Sequence, residues 1–361
     1  GLAYLDRLTE RHVFPTEQAI EDLHVFDEDM PSGPTSAPDA IEMLARYGAP
    51  ATTTQAGGRY FGFVTGGAVP AGLAAKSLAT YWDQNAAMTV MSPLTARLEE
   101  VVERWLAQLF GLPRDTAAGF VSGTAVANVA GLAAGRYRLL QRLGWDVNER
   151  GLYDAPKLRV VTGDQAHSAV HRALAILGLG SALVERVPVD DQGRLIASAL
   201  PALDERSLVV LQAGNVNSGS FDPMADVIVQ AREAGAWVHV DGAFGLWAAV
   251  SRQLAHLTRG LELADSWATD GHKTLNTPYD SGVVLCRDRE ALATAFSATG
   301  AYFVMSERDG FQFTPDMSRR ARVIDLWAVL KSLGREGLDE LVTGLHARAV
   351  QFAEEISSVQ G

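Results

Sequence analysis

From about Leu94 onward the apolar residues follow two alternating rhythms. Leu98, Val101, Val102, Trp105, Leu106 and Leu109 fall three or four positions apart, which predicts a helix over Leu94–Phe110. Beyond it the pattern breaks into short apolar runs separated by amphipathic stretches. "GFV" precedes a helical pattern over Ala127–Leu143, "LRVVTG" one over Ala169–Leu177, and "LVVLQAG" one over Met224–Ala234; "WVHVD" and "GVVLC" follow. Runs too short for helices, buried along their whole length and spaced by helices, predict an α/β fold with a mostly parallel sheet covered on both faces. Upstream, helices are expected near Thr16–Leu23, Ala40–Tyr47 and Ala71–Gln84, with the turn-rich loop "DEDMPSGPTSAPD" between the first two. Downstream of about Ala295 the strand rhythm stops, and "SRRARVIDLWAVLKSLGREGLDELVTGLHARAVQFAEEI" predicts a bent pair of long helices. The expected organisation is an N-terminal helical arm over 1–58, a large domain over 59–295, and over 296–361 the start of a small C-terminal domain that the chain leaves incomplete.

Composition narrows the partners more than the fold. With 361 residues, 47% hydrophobic and 20% charged, the chain can bury a sizeable core. A net charge of −12 argues against nucleic acid or an anionic membrane as a main partner, since both need a basic face. The single cysteine, Cys286, excludes an internal disulfide framework and a cysteine-rich zinc site, and no metal site is expected. The first residues mix charges into their turns and do not read as a secretory signal. No uninterrupted apolar window is long enough to span a bilayer. A cytoplasmic enzyme of small molecules is the expectation.

In a parallel α/β sheet, ligands sit beyond the carboxyl ends of the strands, so the residues after each apolar run carry the chemistry. Those segments are "VSGTAVAN", "GDQAHSAVHRA", "AGNVNSG" and "DGAFGLW", with "DGHKTLNTP" just before the last run. Within the last, Lys273 has no lysine or arginine within five residues on either side, unlike a lysine on a charged solubilising face. A desolvated lysine can form a Schiff base with a carbonyl. Asp241 places a carboxylate at the tip of "WVHVD", with the small residues of "DGA" behind it. His167 follows the second run, and Ser122, Gly123 and Thr124 open a helix whose free N–H groups suit a phosphate. Each feature alone has a structural explanation: a surface lysine, a turn aspartate, a capping serine. Together they match the needs of pyridoxal 5'-phosphate, whose aldehyde takes a lysine, whose ring nitrogen takes a carboxylate and whose phosphate takes a helix N-terminus. A nucleotide-binding Rossmann fold fits less well, because "VSGTAVAN" lacks the glycine fingerprint.

The same segments resemble the group II pyridoxal-phosphate-dependent decarboxylases, the aromatic amino acid, glutamate and related amino acid decarboxylases of the aspartate aminotransferase fold. "VDGAFG" is similar to the family's ring-nitrogen segment and "DSWATDGHKTLNTPYDSG" to its lysine segment. "RYFGFVTGGAVPAGLAAKSLA", "MSPLTARLEEVVERWLAQLFGLP" and "SRRARVIDLWAVLKSLGREGL" extend the likeness along the chain. The resemblance implies a fold-type-I, mostly parallel seven-stranded sheet flanked by helices, and loss of CO2 from an L-amino acid through an external aldimine and a quinonoid. It implies that Lys273 carries the cofactor as an internal aldimine, Asp241 pairs with the pyridinium, Ala243 packs on the ring and His167 stacks on its other face. His272 and Asp270 would lie near the phosphate, bound by Ser122, Gly123, Thr124 and Ala125, with Asn215 and Asn217 beside the cofactor. The family's homodimers have active sites at the interface, so Gln84 and Asn85 are expected to reach substrate.

The likeness is imperfect in ways that leave alternatives open. The phosphate loop reads Gly123-Thr124-Ala125 where the family usually has Gly-Gly-Thr, and Asp270 stands where aromatic amino acid decarboxylases carry asparagine. In the stretch matching the family's proton-delivering loop, this chain has Phe311 and Phe313 but no tyrosine; the nearest is Tyr302. Carbon–carbon lyase, aminotransferase or oxidative aldehyde-forming chemistry on the same cofactor therefore remain open, as does a cofactor-binding protein without turnover.

Overall fold

A computed structural model describes residues 1–297 and 306–359. Two units emerge, Gly1–Gly67 and Ala68–Gly361. The first consists of short helical segments. Thr16 caps Glu17–Glu21, which tightens into a 3-10 turn over Asp22–Phe26, and Ser36 caps Ala37–Met43. Tyr4 and Thr52 share a hydroxyl hydrogen bond of 2.9 Å, and the Arg11 guanidinium lies 4.2 Å from the Tyr4 ring centre. The expected helices near Thr16–Leu23 and Ala40–Tyr47 are present but shorter as α-helix, because each changes hydrogen-bond period partway.

The second unit is built on a seven-stranded sheet in the order β1-β7-β6-β5-β4-β2-β3. The strands are β1 (Ala117–Val121), β2 (Arg159–Gly163), β3 (Glu185–Val187), β4 (Ser207–Gln212), β5 (Trp237–Asp241), β6 (Ser266–Asp270) and β7 (Gly282–Cys286). β6, β5, β4, β2 and β3 run parallel, while β7 is antiparallel to both β1 and β6. Within β4, Leu208 and Val210 face one core and Val209 and Leu211 the other. Both faces are buried, which is why the strands read as continuous apolar runs. Two strands were hidden in the sequence. β6, "SWATD", has only two apolar side chains yet is wholly buried, and β3 is a three-residue edge strand.

Helices Pro70–Trp82, Pro93–Leu109, Thr124–Arg142, Ser168–Ile176 and Met224–Glu233 lie within a few residues of expectation. The bend expected in the last helical stretch falls at Gly334, whose φ of 60° interrupts the helix Val323–Ser358. That conformation costs an L-residue with a side chain, so glycine marks the break. Among the described residues, no helix is long and apolar enough to cross a membrane.

Topology puts the chemistry at one edge. The antiparallel step from β6 to β7 leaves residues 271–281 as a loop at the carboxyl end of β6, and that loop carries Lys273. Gly282 pairs with Val121 across the sheet, and a Cβ on Gly282 would fall 2.4 Å from Gly123 Cα. Only a residue without a side chain lets the turn after β1 press against the lysine loop.

Candidate active site

Lys273 and the start of the helix Thr124–Arg142 meet through Asp270. Lys273 Nζ lies 3.0 Å from Asp270 Oδ2, and the Thr124 backbone N–H donates to Asp270 Oδ1 at 2.6 Å. His272 Nε2 is 3.6 Å from the same carboxylate. His272 Nδ1 accepts the Ser281 N–H at 3.1 Å, so the ring proton sits on Nε2 and points toward Asp270. Burial pushes His272 below the usual histidine range, with Asp270 opposing it. The ring stacks on Tyr279 at 4.2 Å. The negative charge at Asp270 is thus met by the lysine three residues on and by a backbone N–H, which is how a carboxylate fits where the resemblance sets an asparagine. Trp247 Nε1 donates to the Asp270 carbonyl at 2.9 Å, and Thr274 Oγ1 to the Phe244 carbonyl at 2.9 Å, pinning the loop to the segment after β5.

Asp241 ends β5 and is 4% exposed. Its Oδ2 accepts from Asn128 Nδ2 at 3.0 Å and its Oδ1 from the Ala243 N–H at 3.2 Å. Burial raises the carboxyl above its ordinary range, while Asn128, His167, Lys273 and Ala243 pull it back. His167 is exposed and caps Ser168–Ile176, its Nδ1 accepting the Ala169 N–H at 3.2 Å. The segment after Asp241 is tied to the lysine loop by the backbone, the Asp270 N–H donating to the Ala243 carbonyl at 2.9 Å.

The remaining expected residues divide. Asn215 is buried, but its side chain is spent on structure: Oδ1 accepts from the Asn217 and Ser218 N–H groups, and Nδ2 donates to Gln165 at 3.0 Å. Asn217 is exposed. Gln84 and Asn85 line a cleft of about 520 Å³ with Thr80, Ser318, Arg319 and Arg320. Phe311 and Phe313 are each 2% exposed, and the Arg308 guanidinium sits 4.6 Å from the Phe313 ring. Arg308 and Arg319 are held by buried Glu99 at 3.1 and 2.6 Å. That stretch is therefore anchored by buried ion pairs, with both phenylalanines buried. Tyr302 lies outside the described residues.

Several residues of the site escaped the sequence reading. Asn128 and His239 support Asp241 from below, and Ser281 fixes the tautomer of His272. A signal existed for His239: in a strand, Trp237, His239 and Asp241 share one face, and a polar residue on that face of a buried strand needs a partner. Pyridoxal phosphate fits this donor set. A lysine amine, a buried carboxylate at a strand end and the small Ala243 lie together. Thr124 Oγ1 and Thr277 Oγ1, buried near the helix start and the lysine loop, have no hydrogen-bond partner among the described residues. A buried hydroxyl without a partner is costly and expects a ligand or water.

Comparison with known proteins agrees with this geometry. The family model described as the pyridoxal-dependent decarboxylase conserved domain matches residues 20–360. L-2,4-diaminobutyrate decarboxylase of Rhizobium meliloti (strain 1021) is 32% identical over 311 residues, 80% of this chain and 60% of that protein. Acidic amino acid decarboxylase GADL1 of Mus musculus is 28% identical over 286 residues, 75% of this chain and 51% of that protein. The chain thus spans between half and three fifths of the length of these curated relatives. Among solved structures, mouse CSAD superposes with a TM-score of 0.89 at 26% identity, covering 98% of this chain and 76% of that one.

Proposed function

The chain belongs to the pyridoxal-dependent decarboxylase family, and from that premise we propose that it binds pyridoxal 5'-phosphate and removes the α-carboxylate of an L-amino acid as CO2. The observation that carries the reading is the convergence of Lys273, Asp241 and the start of the helix Thr124–Arg142 at one sheet edge. Bound pyridoxal phosphate supplies an aldehyde that condenses with amines and a ring that accepts the electron pair left by the departing carboxylate. Lys273 Nζ is the covalent anchor and is set in place by Asp270. Asp241 holds a proton at the ring nitrogen. The turn of Ser122, Gly123, Thr124 and Ala125, with Thr124 Oγ1, binds the phosphate beside His272, Ala243 backs the ring, and His167 covers its open face. Holding the scissile bond perpendicular to the ring is a matter of position, and positioning of this kind contributes several kcal/mol to a barrier.

Leu78, Tyr81, Trp82, Val90, Met91 and Leu94 are large apolar side chains left exposed around Gln84 and Asn85. This supports a homodimer in which that surface is covered and Gln84 and Asn85 reach the partner's substrate. The proposed compartment is the cytoplasm, where the lone buried Cys286 stays reduced. Aldehyde-forming chemistry is the alternative on the same cofactor, since residues 306–320 carry no tyrosine to return a proton.

The test has two parts. Borohydride reduction of the loaded protein followed by peptide mapping should mark Lys273, and Lys273→Ala should lose the visible imine band with the fold intact. CO2 release measured across the common amino acids should then single out the substrate. Labelling of another lysine, or no CO2 from any amino acid by a protein that binds the cofactor, refutes the proposal.

A further inference from the structure

Asp241 is the end of a buried chain of hydrogen bonds. Asn128 Nδ2 donates to Asp241 Oδ2 at 3.0 Å, and Asn128 Oδ1 lies 2.9 Å from His239 Nε2. His239 Nδ1 lies 2.8 Å from Ser266 Oγ, and Trp237 Nε1 donates to that same oxygen at 3.0 Å. All five residues are buried, and Asn128, His239 and Ser266 are fully so.

The direction of the chain follows from its far end. An indole N–H only donates, so Ser266 Oγ accepts from Trp237. The hydroxyl proton then has two possible acceptors, His239 Nδ1 at 2.8 Å and the Gly131 carbonyl at 3.5 Å, and the nearer wins. An imidazole that accepts at Nδ1 carries its proton on Nε2 and donates it to Asn128 Oδ1. The asparagine amide is thereby forced to turn its NH2 toward Asp241. Every link donates toward the carboxylate, which suits an ionised Asp241.

The opposite polarity is worse. A protonated Asp241 would donate to Asn128 Oδ1, the amide would donate to His239 Nε2, and His239 Nδ1–H would donate to Ser266. Ser266 would then accept two N–H groups and keep only the 3.5 Å carbonyl for its own proton. In a buried network, an ill-satisfied hydroxyl is expensive. His239 cannot escape by becoming cationic, because burial lowers its pKa to about 3.

We infer that His239 and Ser266 are positioning residues that orient the Asn128 amide, hold Asp241 as a carboxylate despite its burial, and so set the protonation of the cofactor's ring nitrogen. The inference rests on the proposed pairing of Asp241 with that nitrogen. It explains why a polar His-Asn-Ser set occupies a wholly buried layer between a helix and a strand. Apolar residues there would leave Asp241 with the Ala243 N–H as its nearer support.

The first test needs no cofactor. Long-range proton–nitrogen NMR of the cofactor-free protein should find His239 neutral with its proton on Nε2 between pH 5 and 8; a proton on Nδ1 would overturn the inference. The second uses pyridoxal phosphate labelled with ¹⁵N in the ring. Ser266→Ala and His239→Leu should move the ring-nitrogen signal toward its unprotonated position and lower kcat about ten-fold or more, with KM changed less than about two-fold. His239→Gln, whose side-chain amide can still donate to Asn128, should recover the signal and most of kcat. If His239→Leu does not fold, Ser266→Ala and the wild-type tautomer decide. Asp241→Asn separates the two readings. A ring nitrogen still protonated in Asp241→Asn would sink the Asp241 assignment itself. A signal lost in Asp241→Asn but kept in Ser266→Ala and His239→Leu would sink the relay alone.

Discussion

Gly131→Ala measures how closely the helix Thr124–Arg142 must approach β5 to build this site. A Cβ on Gly131 would lie 2.6 Å from His239 Cε1, 2.7 Å from Nδ1 and 3.3 Å from Ser266 Oγ. Ordinary carbon contacts begin near 3.5 Å, so the helix or the imidazole must move by almost 1 Å. Overpacking of this kind costs about 1–3 kcal/mol, and the shift strains the hydrogen bonds of His239, each worth about 1 kcal/mol. Alanine's better helix propensity returns about 1 kcal/mol, leaving a net loss of roughly 2–3 kcal/mol. Gly344 is the control: it lies in a helix, and nothing stands within 4 Å of its Cβ position, so Gly344→Ala should gain about 0.5–1 kcal/mol. With an unfolding entropy of about 2.1 cal/mol/K per residue, 361 residues give roughly 1.3 °C per kcal/mol. The two variants should therefore differ in Tm by about 4 °C, with Gly131→Ala the lower. The Gly131 variant should also lose cofactor affinity, because Asn128 rides on the displaced helix. A Gly131→Ala protein as stable as Gly344→Ala, or one loading cofactor like the parent, would refute the claim that this contact is tight and that the site depends on it.

Two further outcomes follow from particular side chains. Thr124→Val should leave stability unchanged or slightly raised, since Thr124 Oγ1 is buried without a partner, yet weaken pyridoxal 5'-phosphate several-fold while leaving pyridoxal unaffected. Equal losses for both compounds in a binding titration would remove Thr124 from the phosphate site. Burial lifts the Asp222 carboxyl to about 6, while its oxygens accept the Leu195 and Gln212 N–H groups at 2.8 and 2.7 Å. The fold keeps this proton up to about pH 6 and the unfolded chain sheds it near 4, so this group's contribution to stability falls as pH rises between those values, by about 3 kcal/mol in all. Asp222→Asn should flatten that part of the Tm profile, and an unaltered slope would show that the group does not titrate there.

Lys273 and Asp241 stand out in the sequence because each breaks a local rule at a strand end: a solitary lysine in a turn, a carboxylate closing an apolar run. The local pattern suffices there, since the topology of a parallel sheet says where such residues gather. β6 stayed hidden for the complementary reason. "SWATD" is strand because β5 and β7 supply hydrogen bonds on both sides, and nothing within its own five residues says so. Asn215 shows a second limit, since an asparagine after a strand is equally fit to bind a ligand or to close its own turn, and its Oδ1 here accepts within its own turn.

Asp270 is the sharpest instance. Read along the chain, a second carboxylate where a phosphate should sit argues against the cofactor. In space its two oxygens are already engaged, one by Lys273 Nζ and one by the Thr124 N–H, so the residue acts as a clasp between the lysine loop and the start of the helix Thr124–Arg142. The sign of a charge is legible in sequence, whereas what neutralises it depends on neighbours 146 positions away. The same holds for Asp241, which accepts from Asn128 on a helix, itself bonded to His239 on the same strand as Asp241 and through it to Ser266 on the next strand over. The residues proposed to do chemistry are therefore locally conspicuous. The residues that support them are scattered through the sequence and become evident only as one connected set of hydrogen bonds.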